Sequence, residues 1–222
     1  MSTASTLTMN VSEIVEQLPT DSTLILRHVS WEDYEELLDA VGEAKGLRIS
    51  YDGGTLQIMT VSAEHESYAD LIKLLVGQLS LKLRIKVLFF GSATMKKRRQ
   101  QKGSEPDACF YIQSADLIGR KRDIDFNSDP PPDIVVEVDI HHDSLSKFPI
   151  YAALGVPELW RYHGQALTIY HLQEDQYVPV ESSQALPLLT SRTLTEFLNR
   201  SQHEDQYETL LAFEQWLQAR QP

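Results

Sequence analysis

The stretch PPPDIVVEVDIHHDSLSKF, from Pro130 to Phe148, places a carboxylate inside a run that otherwise has the pattern of a buried strand. Four of the five positions from 134 to 138 are isoleucine or valine, which favours a strand, and the fifth is Glu137. A carboxylate among aliphatic side chains is strongly destabilising unless an ion pair, hydrogen bonds or a metal ion compensate its charge. Any fold of this chain must therefore supply a partner for Glu137.

The flanking segments predict a mixed α/β architecture. In chain order we expect a helix from Ser30 to about Glu43, a hairpin over 47–61, a core helix over 64–83, strands at KVLFFG, DACFYI and 133–140, a helix from Ser144 to Leu154, a meander of three strands (ELWRYHG, ALTIYHL, QYVPVE) and C-terminal helices within 192–219. This order predicts one α/β domain over residues 1–222, a central mixed sheet flanked by helices and extended by the hairpin and the meander. We expect residues 1–9 to be disordered.

Two further carboxylates fall where they could join Glu137. Asp139 follows at a spacing of two, so it shares the strand face of Glu137, and Asp107 begins another apolar strand after Pro106. Carboxylates on one face repel each other unless a cation lies between them, and oxygen donors suit Mg²⁺ or Mn²⁺. The sequence therefore predicts a metal site formed by Asp107, Glu137 and Asp139. An exposed edge, or a basic side chain paired with Glu137, is the alternative.

The charge distribution separates one basic segment from an acidic chain. The net charge of −12 argues against a nucleic-acid partner, but residues 82–122 hold 11 of the 20 basic residues and only three acids. That window is therefore +8 and the remainder is −20. We expect a loop here to contact phosphates through Lys96, Lys97, Arg98, Arg99 and Lys102. A merely solvated loop is the alternative.

The compartment is expected to be the cytoplasm. The single cysteine, Cys109, excludes a disulfide within the chain and fits a reducing setting. The N-terminal segment lacks the pattern of a secretory signal, and no apolar run approaches the roughly 20 residues that span a bilayer. We therefore expect a soluble protein with no membrane partner.

Four ordered motifs resemble one bacterial family. They are EPD at 105–107, PPDIVVEVDI at 131–140, Lys147, and YAALGVPELWRY at 151–162. The family is the restriction-endonuclease-like one, long filed as a domain of unknown function, within the PD-(D/E)XK nuclease superfamily. The resemblance runs from about residue 46 to about residue 180. It implies a restriction-endonuclease-like core of about four strands between helices, here with additional strands, and metal-dependent cleavage of nucleic acid, with DNA the expected substrate.

The resemblance also implies roles for individual residues. Asp107 and Glu137 match the two principal metal ligands. The superfamily lysine belongs two residues after the glutamate, where this chain has Asp139, so Lys147 from the next helix would take its place. Lys147 would then stabilise the transition state of phosphodiester hydrolysis or orient the attacking water.

A further glutamate from the helix before the core strands is expected in this superfamily. Glu64 is favoured over Glu66, and acids are in any case favourable in the first turn of a helix. His65 is expected to be a structural donor rather than a ligand, and His141 and His142 are interpreted as loop residues.

Two other functions remain open at this stage. Because Asp139 replaces the usual lysine, the protein could be a catalytically degenerate nucleic-acid-binding protein of the same fold. A plain interaction protein with a solvated basic loop is the other. A homodimer is expected if two strands are cut.

Overall fold

The computed structural model describes residues 17–42, 46–141 and 143–220. Within these ranges the chain forms two sheets and a set of helices. The strands are β1 (Thr23–Arg27), β2 (Leu47–Asp52), β3 (Thr55–Thr60), β4 (Leu88–Phe89), β5 (Met95–Lys97), β6 (Lys102–Ser104), β7 (Ala108–Tyr111), β8 (Ile134–Val138), β9 (Glu158–Tyr162), β10 (Leu167–Gln173) and β11 (Gln176–Val180). The helices are α1 (Trp31–Val41), α2 (Ala63–Leu83), α3 (Ala115–Ile118), α4 (Phe148–Leu154), α5 (Ser191–Arg200) and α6 (Gln206–Gln218).

The two sheets differ in their strand directions. The first has the order β1-β3-β2-β6-β5, and all of its pairs are antiparallel. The second has the order β11-β10-β9-β8-β7-β4, in which β8 and β9 are parallel and the other pairs antiparallel. The predicted mixed sheet flanked by helices is confirmed and includes the meander β9–β11, whereas the additional hairpin β2–β3 belongs to the separate antiparallel sheet.

Strand β8 is buried on both faces. Ile134, Val136 and Val138 belong to the core that α2, α5 and α6 cover, while Val135 faces the core that includes α4. Because side chains alternate along a strand, Glu137 shares the face of Val135 and points towards α4. Helix α4 is therefore positioned to supply the partner that Glu137 needs.

Local signals in the sequence determine where the first two helices begin. Ser30 caps α1 in a capping box with Asp33, as predicted, and Ser62 caps α2 by accepting a hydrogen bond from the backbone N–H of His65. The N-terminal turn of α2 also carries His65, whose Nε2 lies 3.1 Å from Oδ2 of Asp107, next to β7. The described part of α1 ends at Val41, and the predicted end at Glu43 lies outside the described residues.

The basic segment is a hairpin, so the prediction of a loop was wrong. Strands β5 and β6 pair with each other around a short 3-10 turn at Arg98–Gln100, and β6 pairs with β2. Gln101 closes the turn with a φ of 52°. Backbone hydrogen bonds between the paired strands hold the hairpin. In β5 the only buried hydrophobic side chain is that of Met95.

Some smaller predictions differ from the structure, and others concern residues that it does not describe. The strand expected over KVLFFG is confined to Leu88–Phe89, and β1 was not predicted. The expected disorder of residues 1–9 and the interpretation of His142 fall outside the described residues. Among the described residues, no helix is both long and apolar enough to cross a bilayer.

Candidate active site

Glu137 is compensated by two side chains that are both buried with it. The ammonium of Lys147 lies 2.8 Å from Oε2 of Glu137. The hydroxyl of Tyr151 donates to Oε1 and in turn accepts a hydrogen bond of 3.0 Å from Ser104 Oγ. The carboxylate therefore has a cation on one oxygen and a hydroxyl donor on the other.

The turn after β8 brings Lys147 back to Glu137. Asp139 Oδ2 accepts hydrogen bonds of 3.0 Å from both the backbone N–H and the hydroxyl of Ser144, which closes the turn. A 3-10 turn over Leu145–Lys147 then leads into α4. Lys147, the last residue of this turn, and Tyr151 of α4 are four residues apart, so they lie on one side and reach the same carboxylate.

Asp107 lies directly before β7, opposite Glu137. Ala108 pairs with Val136 in the antiparallel β7–β8 register, so the next position along each strand places Asp107 across from Glu137. The carboxylate Oδ1 of Asp107 accepts from Arg48 Nε at 2.8 Å. Its Oδ2 accepts from the backbone N–H of Val138 at 2.8 Å and lies 3.1 Å from His65 Nε2.

Burial and charge act differently on the three ionisable groups of this site. Burial raises the pKa of Glu137 to about 7, and Lys147 offsets only part of that effect. Burial also acts to raise the pKa of Asp107, but the hydrogen bond and charge of His65, with Lys147 and Arg48, lower it below its usual range. Burial acts to lower the pKa of Lys147, and the charges of Glu137 and Asp107 outweigh it, so the pKa is raised and the ammonium stays charged.

The first turn of α2 contributes Glu66 rather than Glu64 to this network. Arg48 donates from its second terminal nitrogen to Glu66 Oε1 at 2.6 Å while its Nε binds Asp107. Glu64 is exposed on the same turn. The catalytic role of Glu64 stays a prediction, and the geometry favours Glu66. His65 is a donor to Asp107, as the sequence suggested.

The side chain of Asp139 is held by Ser144 and Arg161. Besides its contacts with Ser144, Oδ2 of Asp139 accepts from Arg161 Nε on β9. Its role as a third metal ligand stays a prediction.

The donor set fits a divalent cation held mainly by two carboxylates. Across residues 17–42, 46–141 and 143–220, no group of three or more His, Cys, Asp or Glu side chains is arranged to hold a metal ion. A carboxylate can accept about four hydrogen bonds, and the described contacts use three positions on Asp107 and two on Glu137. Mg²⁺ is commonly held by one or two carboxylates, with water and substrate phosphates completing its coordination, so the remaining positions suffice.

The predicted phosphate-binding cations of the β5–β6 hairpin mostly have partners within the protein. Four of the five make such contacts, and Arg99 is exposed. The contacts are Lys96 with Glu35, Lys97 with the Leu154 carbonyl, Arg98 with Glu32 and Glu35, and Lys102 with Asp52. Three of these cations are therefore neutralised by acids of α1 or β2, and their contact with nucleic acid stays a prediction.

Sequence reasoning missed two residues of the site. Tyr151 could have been found, because it follows Lys147 by four residues on a predicted helix. Arg48 interrupts an apolar strand in the same way that Glu137 does, which is a signal for a buried ion pair. Its partner Asp107 is 59 residues away, and only the pairing of distant strands brings them together.

The arrangement agrees with the class of protein that the sequence motifs resemble. Acids at the ends of two adjoining strands of a mixed sheet, with a lysine beside one of them, form the site expected of a restriction-endonuclease-like protein. The model of the Uma2 family, described as "Putative restriction endonuclease", matches residues 31–202, and the chain belongs to this family. The matched range includes every residue of the site described above.

The remaining comparisons concern curated proteins and solved structures. The search of curated proteins found no match. Among solved structures, the chain is similar to a crystal structure from Anabaena variabilis described as "a putative nuclease belonging to DUF820", with 16% identity and a TM-score of 0.47. The similarity covers 68% of this chain and 90% of that one.

Proposed function

We propose that this protein is a divalent-cation-dependent endonuclease that hydrolyses phosphodiester bonds in nucleic acid, with DNA as the expected substrate. The observation that carries the proposal is the buried pair of Asp107 and Glu137, opposite each other on adjoining strands, with Lys147 at 2.8 Å from Glu137. Membership of a family described as "Putative restriction endonuclease" supports the nuclease class. The cytoplasm is the expected compartment.

Asp107 and Glu137 would hold the cation, Mg²⁺ or Mn²⁺. When bound, such an ion lowers the pKa of a water molecule and neutralises charge on the phosphate. Around it, Arg48 and His65 keep Asp107 ionised and fixed in orientation. Both carboxylates are buried, so bulk water does not screen their charges.

Lys147 and Tyr151 act on the other side of the site. The ammonium of Lys147 remains protonated and is positioned to stabilise negative charge that develops on a phosphate next to Glu137. Tyr151 holds the Glu137 carboxylate in one orientation, and Ser104 holds Tyr151 in turn. Each group is thereby placed before substrate arrives, which is what electrostatic stabilisation requires.

Plasmid nicking tests the proposal. Supercoiled DNA is incubated with the wild type in Mg²⁺, in Mn²⁺ and in EDTA, with an RNA of similar length in parallel. Nicked and linear DNA in either metal, and none in EDTA, is the expected result. DNA that is retained by the protein but never cut under any of these conditions would instead indicate the degenerate binding protein.

A further inference from the structure

A cleft of about 640 Å³ opens beside Arg48, the side chain that holds Asp107. Leu47 and Ile49 of β2 form part of its wall, and Glu66 lines it from the first turn of α2. Its volume lies within the range of roughly 300–1,000 Å³ typical of ligand sites. Arg48 thus connects an open cleft to a carboxylate that is only 2% exposed.

The burial of the proposed catalytic residues makes this connection important. Asp107, Glu137 and Lys147 are all at most 2% exposed, so a phosphate must approach them through a concavity that reaches one of their partners. A second hollow, of about 230 Å³, is lined by Asp133 and Glu158 and by no basic residue. Two acids without a cation repel a phosphate. The cleft at Arg48 balances two acids, Glu66 and Glu105, with the positive charge of two arginines, Arg48 and Arg122.

Arg122 supplies that charge in a form that a substrate can use. It lines the cleft, its side chain is exposed, and in the part of the chain that the structure describes it has no ion-pair or hydrogen-bond partner. By contrast, Lys96, Arg98 and Lys102 of the β5–β6 hairpin would have to leave acidic partners before binding a phosphate. Arg122 requires no such exchange.

The cleft also offers an aromatic surface. Phe90 lines it and is only partly buried, with its ring packed edge-on against Tyr111 at a centroid distance of 5.2 Å. Proteins that bind single-stranded nucleic acid combine cations along the backbone with aromatic rings on which bases stack. Arg122 and Phe90 provide both elements on the wall of one cleft.

We propose that this cleft binds the backbone of nucleic acid and that Arg122 contacts one of its phosphates. The inference rests on the proposed function, which supplies nucleic acid as the ligand. It adds the place where the substrate lies and a binding residue outside the carboxylate site. A phosphate contact of this kind is independent of base sequence and weakens as salt rises, because binding releases counterions.

The experiment measures the salt dependence of binding in EDTA, where no cleavage occurs. Fluorescence anisotropy of a labelled single-stranded and a labelled duplex oligonucleotide is recorded for the wild type, Arg122→Ala, Arg122→Lys and Arg120→Ala. Arg120 is an exposed arginine that does not line the cleft, so it is the matched control. All four proteins are first compared by circular dichroism and thermal unfolding.

We expect Arg122→Ala to reduce the slope of log affinity against log salt by about 0.9 for the duplex or 0.7 for the single strand. Arg122→Lys keeps the positive charge and should have the slope of the wild type, and Arg120→Ala should also leave the slope unchanged. The inference is overturned if Arg122→Ala has the slope of the wild type, if Arg120→Ala reduces it equally, or if the wild type shows no salt-dependent binding.

The two proposals fail in different ways. If Arg122→Ala reduces the slope of log affinity against log salt but the wild type does not nick DNA, the cleft stands as a binding site and the endonuclease proposal fails. Metal-dependent nicking together with an unchanged slope in Arg122→Ala would retain the endonuclease and remove the cleft.

Discussion

The ammonium of Lys147 lies 2.8 Å from Oε2 of Glu137, and neither side chain is more than 3% exposed. The carboxylate within the valine-rich strand is therefore compensated by a cation from the next helix, ten residues further along the chain. The sequence left an exposed edge and a basic partner as the alternatives to a metal site, and of these two the basic partner is present in this structure. A cation proposed at Glu137 would have to share that carboxylate with Lys147.

Removing Lys147 alone should destabilise the protein strongly. In Lys147→Met the hydrophobic stem is nearly retained, but Glu137 is left as a buried charge without its ion-pair partner. At pH 8, where Glu137 is ionised in the wild type, we expect the free energy of unfolding to fall by about 3–5 kcal/mol. Urea denaturation measures this directly.

The double variant Glu137→Gln/Lys147→Met is the control for that experiment. It removes both charges, so its loss of stability should be smaller than that of Lys147→Met alone. A loss of stability in the double variant as large as that of Lys147→Met, or larger, would mean that the two charges do not stabilise each other.

Tyr151→Phe should reduce both stability and cleavage. The change removes the donor to Glu137 Oε1 and leaves the Ser104 hydroxyl without its acceptor, at a cost of about 1–3 kcal/mol. Tyr177→Phe is the matched control, because its hydroxyl donates to the Val156 carbonyl at 2.8 Å, outside the carboxylate site. We expect both variants to be less stable, with slower plasmid nicking in Tyr151→Phe only. Equal nicking rates in the two variants would remove Tyr151 from the site.

Local signals were sufficient to predict much of the fold and part of the site. The capping box at Ser30, the glycine pair of the β2–β3 hairpin and the helical spacing along α2 all act within a few residues of chain, so they can be recognised in sequence. The return of Lys147 to Glu137 was predicted from the family resemblance and a short connecting loop, and its position is as expected. Its catalytic role stays a prediction.

The remainder depends on contacts between distant parts of the chain. Arg48 meets Asp107 because β2 pairs with β6, which ends three residues before Asp107, and no local pattern specifies that pairing. The β5–β6 hairpin has few apolar residues, and it is ordered by ladder bonds with β2 and by ion pairs such as Lys96 with Glu35. Neither contact leaves a periodicity in the segment itself.

His65 should make stability depend on pH through its contact with Asp107. Burial acts to lower the pKa of His65, but the hydrogen bond and charge of Asp107 outweigh it, so the pKa is raised above 6.5. A histidine whose pKa is raised on folding stabilises the protein fully below pH 6.5 and loses that contribution as pH rises through the higher value.

The variant His65→Gln isolates this effect, because glutamine can donate to Asp107 but does not titrate. The stability difference between wild type and variant should be largest near pH 6 and should shrink towards pH 9. Urea denaturation at several pH values between these limits measures it. A difference that stays constant, or that grows with pH, would contradict the assignment.

The most direct test of the carboxylate pair is Glu137→Gln, assayed for plasmid nicking and for Mn²⁺ binding by calorimetry. Glu181→Gln, a change at an exposed glutamate, is the matched control. With folding verified by circular dichroism, we expect Glu137→Gln to nick DNA at least about 100-fold more slowly than the wild type and to bind Mn²⁺ more weakly, because a metal ligand and its charge are lost. Glu181→Gln should match the wild type in both measurements. Wild-type nicking and Mn²⁺ affinity in a folded Glu137→Gln protein would contradict the proposed site.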